Sequence, residues 1–186
     1  MFWLYWSINR GAYPLIAGNI IAALFYAFVP MLVLLDIPPI YRIYGKELIT
    51  MGVDFNFSIY WLLSVALFVF LIALAREILK DTEQFESDVN YDRPSLPFIM
   101  GAHFAKWTVN GINAANIIIL ALYYCFFLRH IAGWLSLFYI MLIIISLLFI
   151  CYKIYHATTG DDYRHAKNAM SYLLIAAMVL SIMNYE

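Results

Sequence analysis

Five stretches of this chain contain no Asp, Glu, Lys, Arg or His: Tyr13–Leu35, Phe55–Ala75, Trp107–Leu128, Ile131–Tyr152 and Asn168–Tyr185. Each is close to the roughly 20 apolar residues that an α-helix needs to cross about 30 Å of hydrocarbon. Hydrophobic residues make up 65% of the chain and charged residues 12%, against roughly a quarter charged in a soluble domain. The fold class read from this pattern is an all-α integral membrane protein with five transmembrane helices. No internal repeat, low-complexity tract or linker marks a second unit, so residues 1–186 are expected to form a single membrane domain.

The distribution of Lys and Arg sets the expected orientation. The side that holds the N-terminus carries Arg10, Arg76, Lys80, Arg93, Lys106, Lys153, Arg164 and Lys167, whereas the other side carries Arg42, Lys46 and Arg129. By the positive-inside rule, eight against three places the N-terminus and the connection Arg76–Lys106 in the cytoplasm and the C-terminus outside, most simply in a cell inner membrane. Trp3, Tyr5, Trp6, Tyr60, Trp61, Trp107, Trp134, Tyr152 and Tyr155 lie near the proposed span ends, as interfacial aromatics do. Met1-Phe2-Trp3 has no basic n-region, and Asp36-Ile37-Pro38-Pro39 is not a small-residue cleavage site. The first span is therefore expected to remain in the mature protein.

Other classes are disfavoured. A net charge of −1 without a basic block argues against a nucleic-acid partner. Cys125 and Cys151 lack metal-ligand spacing and read as packing residues rather than a disulfide. His103, His130, His156 and His165 are spread over different connections with no i, i+4 pair, which argues against zinc. Proline and glycine punctuate the chain. Pro38-Pro39 is expected to end the first helix, Arg93-Pro94-Ser95-Leu96-Pro97 with Gly101 to break the second, and Thr159-Gly160-Asp161-Asp162 to turn the chain before the last.

The polar residues concentrate in one place. Residues 76–97 hold six of the chain's twelve carboxylates, just past an uncharged apolar run. Continued as one helix at about 3.6 residues per turn, Glu77, Asp81, Gln84 and Asp88 fall at i, i+4, i+7 and i+11 and share a face. Such a face suits Mg²⁺, which takes a few carboxylates and completes its shell with water and phosphate oxygens. Arg76, Lys80, Arg93 and Lys106 flank it and are candidates for holding phosphate. A plainer reading makes this a solvated helix surface, with Glu77–Lys80 or Glu83–Lys80 as i, i+3 pairs. Asn19, Asn110, Asn113 and Asn116 are amides within apolar spans, suited either to lining a substrate cavity or to bonding between helices.

The string Arg76-Glu77-Ile78-Leu79-Lys80-Asp81-Thr82-Glu83, followed by Asp88 and Ser95-Leu96-Pro97, resembles the second aspartate-rich motif of the UbiA family of membrane prenyltransferases. The nearest flavour is that of geranylgeranylglycerol-phosphate geranylgeranyltransferases, with a pattern of roughly R-E-I-I-K-D-I-E-D-x-E-G-D-x-x-x-G-x-x-T-L-P. Upstream, Tyr5-Trp6-Ser7-Ile8-Asn9-Arg10 and Pro14-Leu15-Ile16-Ala17-Gly18-Asn19 look like the start of that family's fifth helix. The resemblance covers nearly the whole chain, and the acidic string is its most specific part.

The resemblance implies a nine-helix bundle, of which this chain would supply helices five to nine. It also implies Mg²⁺ and a prenyl diphosphate held between two aspartate-rich motifs, and transfer of the isoprenoid to a lipid-soluble acceptor. The expected site residues follow: Asp81 and Asp88 as catalytic carboxylates; Asp81, Gln84 and Asp88 as metal ligands; Arg76, Lys80 and Arg93 on the diphosphate; and Asn19, Asn110 and Asn113 in the substrate cavity. The first motif, N-x-x-x-D-x-x-x-D, is absent from the sequence. Gln84, Ser87 and Asp92 stand where the family usually has Asp, Gly and Gly. The chain alone is therefore expected to be inactive or nearly so, with a separately encoded N-terminal half as a partner. The alternative is a non-catalytic membrane interaction or lipid-binding protein.

Overall fold

The computed structural model describes residues 14–52, 55–91, 95–125 and 134–183, and all regular structure among them is helical. In chain order the helices are α1 (Pro14–Leu32), α2 (Ile37–Thr50), α3 (Phe55–Glu83), α4 (Phe85–Asn90), α5 (Leu96–Met100), α6 (Ala102–Tyr123), α7 (Trp134–His156) and α8 (Gly160–Met183), with a 3₁₀ turn at Val33–Leu35 between α1 and α2.

α3 is the centre of the bundle. It packs against α1, α6 and α8, while α7 closes the far side by packing on α6 and α8. The sequence of α3 explains this position. Leu62, Ala66, Phe68, Val69, Ile72, Ala73, Ala75, Ile78 and Leu79 are all buried, and they point around most of the helix, the mark of an element enclosed on several sides. The alanines let neighbours approach closely, which matters in lipid because helix association there depends on van der Waals packing.

The outer helices bury narrower stripes. On α7 the buried residues are Ile140, Ile143, Leu147, Ile150 and Ile154, and on α8 they are Tyr163, Ala166, Met170, Leu173 and Leu174. α7 alternates steps of three and four throughout, and α8 does so as far as Leu173 with Leu174 beside it, which keeps one seam of each helix turned inward. Residues on the remaining faces, such as Phe138, Ile145, Phe149 and Tyr172, are exposed apolar side chains.

Among the described residues, three stretches are long and apolar enough to cross a membrane: Ala17–Thr50, Ile59–Glu83 and Leu137–His156. The chain is an integral membrane protein on this ground. α6 and α8 coincide with the third and fifth expected spans and have 22 and 24 residues. They are more polar, because α6 carries Asn110, Asn113 and Asn116, and α8 opens with Asp161, Asp162, Arg164, His165 and Lys167.

Two expectations about helix boundaries are corrected. Pro38-Pro39 does not end the first helix; these prolines lie in the first turn of α2, where the missing N–H has no intrahelical partner to lose. The ladder instead changes at Val33–Leu35, shortly after Pro30 inside α1. The acidic face is also not one continuous helix: Gln84 (φ −91°, ψ 7°) separates α3 from α4, and Gln84 is exposed while Asp88 is buried.

Of the other punctuation, Arg93 and Pro94 lie outside the described residues, and Gly101 and the turn before the last helix are as read. Gly101 adopts φ +86°, ψ 150° between α5 and α6, a conformation open essentially to glycine alone. α8 starts on a reciprocal cap: Thr159 N donates to Asp162 Oδ2 at 2.9 Å, and Asp162 N donates weakly to Thr159 Oγ1 at 3.4 Å. Thr158 N and Thr159 Oγ1 also donate to Asp162 Oδ2. Together these bonds, that from Thr158 first, hold the Asp162 carboxyl down to about 2.

Candidate functional site

The polar end of α3 and the short helix after it bring two carboxylates together. Asp81 sits in the last turn of α3, and its Oδ2 accepts a 2.7 Å hydrogen bond from Asn19 Nδ2 of α1. Asp88, in α4, is 6% exposed. It lies near enough for its charge to act on Asp81, as do those of Lys80 and Glu77. Among the described residues, no hydrogen bond or ion pair reaches the Asp88 side chain.

Glu77, one turn before Asp81, has the opposite fate. It is also buried, but Arg76 Nη1 donates to its Oε1 at 2.6 Å and Lys80 Nζ approaches its Oε2 at 3.4 Å. Arg76 in turn donates to Ser171 Oγ of α8 at 2.8 Å, contacts Tyr26 OH at 3.5 Å, and has its guanidinium 5.8 Å from the Tyr26 ring centre. Arg76 therefore ties α1, α3 and α8 together. A second ion pair, Glu83 with Lys167, joins the end of α3 to α8. Of the two pairings open to Lys80 in the sequence, the one with Glu77 forms, and Glu83 turns to α8.

The remaining candidates fall in several places. Gln84 is exposed at the break between α3 and α4. Arg93 lies outside the described residues. Lys106 donates to the carbonyl oxygen of Ala157 and sits 5.6 Å from the Tyr163 ring centre, so it caps the end of α7 rather than facing the carboxylates. Asn19 is bonded to Asp81. Asn113 and Asn116 are fully buried in the packed stripe of α6 that begins with Ala105 and Val109. Among the described residues, neither Asn116 amide atom has a hydrogen-bond partner, and Asn113 has only the weak thiol of Cys151 beside it. Asn110 Oδ1 is likewise buried without a partner among them. Cys125 and Cys151 are free thiols.

Sequence reasoning missed the Asn19–Asp81 bond, the Arg76–Ser171 bond and the Glu83–Lys167 pair. They join residues 62, 95 and 84 positions apart, and no local spacing rule reaches that far. The one signal available was that each residue is polar and lies within or beside an apolar span.

Asp81 and Asp88 are carboxylates of the acidic string that lie outside the ion pairs of Glu77 and Glu83, and carboxylate oxygen is the ligand type that a hard divalent cation takes. No three of His, Cys, Asp or Glu converge on one point among the described residues. Two carboxylates alone would leave most of a cation's shell to other oxygen donors. Such a donor set fits Mg²⁺, which is bound through one or two carboxylates and keeps water and phosphate oxygens.

Comparison with known proteins adds a relative. Over 132 residues the chain is 28% identical to digeranylgeranylglyceryl phosphate synthase of Methanosphaera stadtmanae, a match that covers 71% of this chain and 44% of that protein. The chain thus spans less than half the length of the curated relative it matches. No family model matches it, and no solved structure does. The match agrees in kind with the likeness carried by the acidic string of residues 76–97.

Proposed function

We propose that this chain supplies one wall of a membrane prenyltransferase site. In that site an isoprenoid is transferred from its diphosphate to a lipid-soluble acceptor, and Asp81 and Asp88 hold Mg²⁺ against the diphosphate. The observation that carries the reading is Asp88, a buried carboxylate with no partner among the described residues, next to Asp81 in a chain similar to a digeranylgeranylglyceryl phosphate synthase. When bound, Mg²⁺ would offset the charge that develops on the leaving diphosphate.

The chain's own residues would act by position and charge. Asp81 and Asp88 fix where the cation and diphosphate sit, at the end of the most enclosed helix of the bundle. Lys80 is a described cation beside the pair, since its charge acts on Asp81, and with its side chain 39% exposed it would reach a diphosphate oxygen. Arg76 serves instead to hold α1, α3 and α8 in register around the site. With Gln84 exposed, its proposed role is reduced to contact through water. The apolar faces of α3 and its neighbours keep water from the allylic carbon.

The rest of the reading follows from the half-site. The other wall would come from a segment carrying N-x-x-x-D-x-x-x-D, and five crossings with a cytoplasmic N-terminus would bring the two walls to the same side of the membrane. A melting curve of the detergent-solubilised protein tests the reading. Mg²⁺ with geranylgeranyl diphosphate should raise the melting temperature, and Asp81→Ala with Asp88→Ala should abolish the rise. An equal rise in the double variant would place the ligand elsewhere. In cells, a cysteine at position 87 should react with an impermeant maleimide only from the cytoplasmic side; labelling from outside would reverse the orientation.

A further inference from the structure

Asn19 is 8% exposed on α1, and its amide nitrogen lies 2.7 Å from Oδ2 of Asp81. The short distance marks a bond strengthened by the carboxylate's charge. An aspartate's terminal torsion is broad and roughly two-fold, so an unheld Asp81 carboxylate could turn toward the neighbouring Lys80, whose charge acts on it. The Asn19 bond removes that freedom. It engages Oδ2 and leaves Oδ1 without a hydrogen-bond or ion-pair partner among the described residues. Asn19 reaches Asp81 from another helix, so the orientation of this carboxylate depends on the seating of α1 against α3.

We propose that Asn19 is a positioning residue: it acts through Asp81 by fixing which carboxylate oxygen faces the cation. This inference rests on the reading of Asp81 and Asp88 as a cation site. The competing explanation for a buried asparagine is simple attachment of one helix to another. Attachment would affect the stability of the cation-free protein but not the affinity for a cation.

The test is titration of the whole detergent-solubilised chain with Mn²⁺ alone, following free Mn²⁺ by electron paramagnetic resonance, alongside its resistance to unfolding without metal. Asn19→Leu removes the donor and should weaken Mn²⁺ binding by about 10- to 100-fold, the usual effect of losing a group that orients a metal ligand. Asn19→Gln keeps an amide donor and should recover most of the affinity. In an Asp81→Ala background, Asn19→Leu should have no further effect, because the residues would act as one unit. That comparison remains informative even if Asn19→Leu also lowers stability. Native affinity in Asn19→Leu, with Asp81→Ala and Asp88→Ala both weakened, would overturn the positioning role and leave the cation site standing. Unchanged affinity in both aspartate variants would remove the cation site, and the role of Asn19 with it.

Discussion

Arg76→Met should be one of the most damaging single changes in the helical bundle, and the size of the effect follows from what Arg76 touches. The Glu77 side chain is 6% exposed and holds a 2.6 Å contact with Arg76. Removing one member of a buried pair costs about 3–5 kcal/mol, because the other charge is left without compensation. Lys80 remains 3.4 Å from the second oxygen of Glu77, which moves the expectation to the lower end, about 3 kcal/mol. Loss of the bond to Ser171 adds little, because the serine hydroxyl still bonds to the Lys167 carbonyl and is not orphaned. Glu77→Leu alone should cost less, since Arg76 is 23% exposed and keeps Ser171. The double variant Arg76→Met/Glu77→Leu should recover most of the loss, because exchanging a buried pair for apolar groups is often neutral. Reversible unfolding in mixed detergent and sodium dodecyl sulfate measures all four proteins. An Arg76→Met variant within about 0.5 kcal/mol of native, the range of an ordinary surface change, would refute the argument.

Other outcomes follow from single positions. Gly101→Ala should destabilise by about 1–3 kcal/mol in the same assay, purely through backbone strain, because a methyl group there meets no atom within 4 Å. Asn116→Leu should leave the protein at least as stable as native, since neither atom of the buried amide has a hydrogen-bond partner to lose among the described residues; a large loss would reveal a bound water or other partner. Asp162 has its carboxyl held at about 2, below the ordinary 3.8. Its contribution to the start of α8 should thus be complete above about pH 4 and be lost as pH falls through about 2. Amide exchange at Thr158 and Thr159 should show that acid dependence, and Asp162→Asn should remove it.

The long helices were legible because their cause is local. Runs without charge predict α1, α3, α6, α7 and α8, and the three-four spacing of Ile140, Ile143, Leu147, Ile150 and Ile154 can be counted directly along the chain. The central position of α3 was not legible, since an apolar helix facing lipid and one enclosed by neighbours have the same composition. Proline gave a true signal with the wrong sense. Pro38-Pro39 marks a boundary, but the same missing N–H that ends one helix is tolerated in the first turn of the next, so sequence alone does not say on which side of the boundary the prolines fall.

The acidic face shows how far a spacing argument reaches. The i, i+4, i+7, i+11 spacing of Glu77, Asp81, Gln84 and Asp88 assumes an unbroken ladder, and backbone bonds do continue across the break, from Gln84 N to Lys80 O and from Asp88 N to Gln84 O. The local rotation at Gln84 is enough to leave that side chain exposed while Asp88 stays buried. Of the remaining three acids, Glu77 is neutralised by two cations, Asp81 is held by an amide, and Asp88 is left without a partner among the described residues. Spacing could place these groups on one side of the chain. Asp81 takes its partner Asn19 from α1, and Arg76, which holds Glu77, is anchored by Ser171 of α8. A change that tilts α1 against α3 by a fraction of a turn would therefore alter how the Asp81 carboxylate is held without touching that residue.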